Sequence, residues 1–121
     1  MHLAIYLPSL HGGGAERAMV TLANGFAARG LRVDLVLASA VGPYVPEVSS
    51  DVRIIDLGST RVSASLPGLV RYLRRERPQA MLSALNHANV IAVIARSLAK
   101  VETRLVVSEH TDVSGGGKQT R

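Results

Sequence analysis

The stretch LAIYLPSLHGGGAERAMVTLANGFAARG, residues 3–30, decides the fold. It opens as an apolar run, breaks at Pro8, and places three glycines at 12–14. An amphipathic segment follows and closes on Arg29-Gly30. HLAIYL (2–7), ended by a proline, reads as a buried strand. Residues 15–29 read as a helix with Met19, Leu22, Ala23 and Phe26 on one face and Arg17, Thr21 and Asn24 away from it. Gly30 is the expected stop.

The same alternation continues outward. Strands are expected at 32–38, 52–57, 79–85 and 103–110, and helices at 66–77 and 87–100. Pro43 and Pro46 mark a loop, and 58–66 is a polar Ser/Gly/Thr connection. Short strand runs alternating with helices predict an α/β, Rossmann-like three-layer domain, with a parallel sheet of about five strands. Strands apolar on both faces fit a doubly covered sheet. The 121 residues suffice for one domain with its own core. That domain is expected over 1–112, with 113–121 a loose or truncated tail.

Composition narrows the function classes. Apolar residues are 47% and charged residues 19%, a globular balance. Aromatics are only 3%, which counts against a base-stacking surface and so against nucleic acid as a partner. The net charge is +5, and 12 of the 14 basic residues are arginine, the side chain suited to bidentate contact with phosphate or carboxylate. With no cysteine, disulfides and thiolate metal sites are excluded. MHLAIYLPSL has no basic leader region and no small-residue cleavage site, so no secretory signal is expected. ANVIAVIARSLA (88–99) is too short to span a bilayer and is interrupted by Arg96, so a cytoplasmic protein is expected.

The glycines carry the chemistry. In an open parallel sheet the ligand crevice lies beyond the carboxyl ends of the strands, where the loop after the first strand sits. Glycine brings backbone N–H groups close to a ligand with no Cβ in the way. The helix that follows aims its free N–H groups and positive dipole end at the same place. Gly13 and Gly14 are therefore candidates for a phosphate site, the alternative being a flexible turn. Arg17, a cation in the first turn where the dipole disfavours one, fits either a nearby anion or a solvated surface. Two sharper motifs fail. The dinucleotide pattern needs glycine where Arg17 stands, and the P-loop-like GGGKQT has Asp112 and Gln119 at two required positions.

HGGGAERAMVTLANGFAARGLRVDLVLA (11–38), with the later LVVSEHT (105–111), resembles the N-terminal domain of the retaining GT-B glycosyltransferases of family 4. That resemblance implies two Rossmann-like domains facing across a cleft, of which this chain supplies the acceptor side. The C-terminal donor-binding domain would be a separate or continuing half, without which the chain would be inactive. It implies transfer of a sugar from a nucleotide-sugar donor, a UDP- or GDP-sugar, to a glycan or lipid-linked acceptor of the cell envelope with retention, using no cofactor and no metal. Gly13 and Gly14, with Arg17, would approach the donor diphosphate. His110 would sit beside the transferred sugar as the catalytic residue. In a 3-2-1-4-5 strand order His11, Asn86, His87 and Glu109 would join it in one crevice, or Asn86 and His87 would only cap the next helix. The histidine spacing matches no zinc pattern. RYLRRERP (71–78) places Arg71, Arg74 and Arg75 on a helix backed by Leu69, Val70 and Leu73. That is either a peripheral membrane surface or a solvated helix face. The reading from a different class is a stand-alone Rossmann-like module for a phosphorylated ligand or a partner subunit.

Overall fold

The computed structural model describes residues 1–11 and 13–108, with Asn86 described by its backbone alone. Five strands, β1 (His2–Leu7), β2 (Arg32–Leu37), β3 (Val52–Asp56), β4 (Ala80–Ser83) and β5 (Arg104–Val107), form one sheet in the order β3-β2-β1-β4-β5. Every neighbouring pair is parallel. The helices are α1 (Gly14–Ala28), α2 (Leu66–Glu76) and α3 (Asn86–Ala99). The Rossmann-like three-layer arrangement is thus observed, with each element within a residue or two of its expected span, except that β4 and β5 are shorter.

The sheet is buried on both faces because its central strands are apolar on both. Ile5 and Leu7 of β1 and Val33, Leu35 and Leu37 of β2 pack against Met19, Val20, Ala23 and Ala27 of α1. Ala4, Tyr6, Val36 and Met81 pack on the other face against Leu69, Tyr72 and Leu73 of α2 and the alanines of α3. α1 is rotated from the expected face. Val20 and Ala27 are buried while Leu22 and Phe26 are half-buried. Asn24, expected to face solvent, receives the Ser49 amide at 2.8 Å and donates to the Glu47 carbonyl at 3.0 Å. It thereby ties down the 3-10 turn at Val45–Glu47.

The loop that leads into α1 is held by backbone pairing. Ala38 and Ser39 donate to the carbonyls of Leu7 and Pro8, Leu10 donates to Val41, and Tyr44 donates back to Leu10. Leu10 itself is fully buried. Gly42 makes this lacing possible. Its φ is +127°, and a Cβ there would lie 2.1 Å from the Leu10 carbonyl carbon and oxygen.

Candidate functional site

The carboxyl rim of the sheet collects the loop after β1, the start of α1 and the start of α3. Gly13 precedes α1 with φ 154° and ψ 161°, a conformation open essentially to glycine alone. Among the described residues no side chain caps α1, and its first intrahelical bond runs from the Arg17 amide to the Gly13 carbonyl. The N–H groups of the first turn therefore face outward, as an anion seat requires. Gly13 and Gly14 are both exposed. The Glu16 carboxylate folds back over this seat, with its Oε1 2.7 Å from where a Gly13 Cβ would stand. An anion on these amides must displace that carboxylate.

The other expected residues fall as follows. Arg17 is exposed and lines an open groove along the outer side of α1 with Ala18, Thr21 and Arg29. His11 is exposed, its Nδ1 3.2 Å from the Ser9 hydroxyl. Asn86 is the first residue of α3, and the cap position is Leu85, with no side-chain cap. Asn86 and His87 are thus the first two residues of α3 rather than its cap position. His87 is exposed and lines a cavity with Pro8, Val62, Ser63, Leu85, Val90 and Ile91. Glu109 and His110 lie outside the described residues, as does the tail 113–121. Ser108 donates its amide to the Ser83 carbonyl at 2.8 Å, so β5 delivers the chain to this same rim beside β4.

Two polar groups here were invisible in the sequence. Asn89, 9% exposed, donates from Nδ2 to the Ser108 carbonyl at 3.2 Å, while its Oδ1 finds no partner among the described residues. The buried Ser83 hydroxyl is likewise unpartnered among them. The only available signal was an Asn three residues into a helix that starts at a strand end, which also describes many ordinary caps.

The most perturbed ionisable groups lie at the opposite rim. Asp34 is fully buried, and Arg53 grips it through Nε at 3.0 Å and Nη2 at 2.9 Å. The Tyr72 hydroxyl donates to it at 2.6 Å, and His2 Nε2 lies 2.7 Å away. Burial pushes this carboxyl up, but the hydrogen bonds from Arg53, Tyr72 and His2 outweigh it and hold Asp34 below the usual carboxylate range. Tyr72 is pushed up by burial and then by the Asp34 carboxylate. Arg53 also reaches Glu76 at 3.2 Å, which pairs with Arg32 at 3.3 Å. His2, Asp34 and Glu76 bring ligand-type atoms within 4.8 Å of one another. Asp34 is already held by Arg53, Tyr72 and His2, and Glu76 by Arg53 and Arg32, so the cluster is an ion network that joins the first three strands to α2.

A five-stranded parallel sheet covered by helices on both faces defines a Rossmann-like α/β domain. The family model of the Glycosyl transferase 4-like domain matches residues 13–121, and the chain belongs to that family. It is a glycosyltransferase-type domain. No curated protein matches the chain. Among the described residues no helix is long and apolar enough to cross a membrane.

Proposed function

We propose that this domain forms the acceptor-side half of a retaining glycosyltransferase. A nucleotide-sugar donor, a UDP- or GDP-sugar, would be held between it and a C-terminal donor-binding domain. The observation that carries the reading is the backbone of Gly13, which presents uncapped amides of α1 at the crevice rim. With the Glu16 carboxylate turned aside, these amides would stabilise negative charge as it develops on a departing diphosphate. Gly14 widens the approach, and His110, carried by the chain that leaves β5, would flank the transferred sugar. His11, Asn86, His87 and Glu109 would line the acceptor side. Arg17, on the outer flank of α1, would act on the donor only by swinging around the helix start.

The test is release of nucleoside diphosphate by the complete two-domain enzyme across a donor panel. Gly13→Val and His110→Ala are each expected to lower turnover by about a hundredfold or more, the scale of losing one positioned charge-stabilising group. Circular dichroism would check that both variants stay folded. Undiminished turnover in both would reject the site.

The same reading places the enzyme at the inner face of a membrane, where an acceptor of cell-envelope glycan synthesis would be met. Arg71, Arg74 and Arg75 are exposed and share a groove with Leu66, Pro67, Val70 and Leu98. Each such cation near an anionic surface contributes about 1 kcal/mol. Changing all three to Glu is expected to abolish co-sedimentation with phosphatidylserine vesicles and to leave the melting temperature in place. Unchanged sedimentation would remove the membrane assignment.

A further inference from the structure

Two polar side chains of α3 reach the backbone of β5. Asn89 and Arg96 stand seven residues apart, so they share one stripe of the helix. Arg96 donates from Nε to the Thr103 carbonyl at 2.5 Å, and Asn89 donates from Nδ2 to the Ser108 carbonyl at 3.2 Å. Thr103 precedes β5 and Ser108 follows it, so α3 brackets the strand at both ends. β5 depends on such brackets. It is an edge strand paired to β4, and its four residues are exposed or half-buried. Sparse apolar packing leaves its direction to hydrogen bonds.

The bracket at the exit of β5 closes from two sides. The Ser108 amide donates to the Ser83 carbonyl at 2.8 Å, while the Ser108 carbonyl receives Asn89. The two bonds hold the peptide planes on either side of Ser108. Glu109 and His110 come next in the chain.

As scaffolding alone this bracket is wasteful. Asn89 is almost wholly buried, and its Oδ1 has no partner among the described residues. Neither has the hydroxyl of Ser83, which is buried on the face of β4 that also carries Met81. Buried polar atoms left unpaired destabilise a fold relative to apolar side chains of similar size. The neighbouring buried positions of α3 obey that rule: Ala88, Ala92, Ala95 and Ala99. Departures from it collect where a site must be held in place.

We propose that Asn89 is a positioning residue for the reaction: by holding the Ser108 carbonyl it sets the direction in which the chain leaves β5, and so the placement of His110 at the crevice. The role rests on the glycosyltransferase reading, because Asn89 acts through His110. Asn89 touches neither donor nor acceptor, so its loss falls on kcat and spares the donor KM.

The experiment uses the complete two-domain enzyme. Asn89→Leu keeps the size of the side chain and removes its carboxamide. It is expected to lower kcat by about tenfold to a hundredfold, the scale of a small misplacement at the reacting centre. The donor KM is expected to stay within about twofold, and the melting temperature to be no lower than the parent's. Asn89→Ala, which adds no bulk, is expected to lower kcat likewise. Arg96→Met removes the bracket at the start of β5 and is expected to leave kcat within about twofold of the parent. In a His110→Ala background Asn89→Leu is expected to cost less than about twofold further, because nothing is left for it to position. Parent-like kcat in both Asn89 variants overturns the proposal. So do losses that multiply with that of His110→Ala. A loss in Arg96→Met equal to that in Asn89→Leu also overturns it, since both bonds would then only anchor the strand. Parent-like turnover in His110→Ala rejects the glycosyltransferase site itself, and this role with it.

Discussion

Asp34→Ala lowers the unfolding free energy by about 3 kcal/mol, read from urea denaturation. Deleting the carboxylate leaves the buried Tyr72 hydroxyl and part of the Arg53 guanidinium without their partner. Arg53 is 45% exposed along its side chain and recovers some hydration, which keeps the loss at the low end for a broken buried pair. The same group sets an acid limit. Its folded pKa lies below the ordinary value of 3.8, so its contribution is complete above that value and disappears as the pH falls through the lower folded value. Asp34→Asn is therefore expected to flatten the acid limb of the stability profile as well as lower its plateau. A loss under about 1 kcal/mol with an unchanged acid limb would show that the network does not hold the first three strands to α2.

Gly42→Ala carries the other large effect. The added methyl would stand 2.1 Å from the Leu10 carbonyl group and 2.5 Å from the His11 amide nitrogen. Those neighbours are backbone, so no side chain can swing aside. The φ of +127° adds strain that an L-residue does not relieve. One of the two loops must move, which breaks the Leu10-to-Val41 and Tyr44-to-Leu10 bonds and shifts the segment that carries Gly13. The expected destabilisation is about 3 kcal/mol, or a melting point lower by about 10 °C. Gly25→Ala is the matched control. It lies within α1 with nothing within 4 Å of the new Cβ, and should stabilise by about 0.5–1 kcal/mol. A Gly42→Ala melting point equal to the parent's would mean that the two loops are not locked together.

The contrast between these glycines shows how far the sequence could be read. Strands, helices and their order followed from local patterns, because apolar periodicity and Gly/Pro punctuation act over a few residues. The glycine loop could be placed at the carboxyl rim because parallel sheets bind ligands there. The buried face of α1 was less legible. Leu22 and Phe26 are the larger apolar residues, yet Val20 and Ala27 face the sheet, since small side chains let the helix approach closely. Glu16 could be read as an acid favoured by the helix dipole, but its fold over Gly13 depends on a rotamer that only coordinates display.

The sequence by itself determined the α/β class, the element order and the presence of a glycine-opened helix at the carboxyl rim, because each depends on residues close together in the chain. Tertiary structure alone decided the Asp34 network, whose partners stand 19, 32 and 38 residues away. It alone decided the backbone clash that reserves position 42 for glycine, and the bond from Asn89 that fixes the exit of β5. The physical reason is the same in each case: register and packing bring distant residues together, and no local pattern encodes which ones meet.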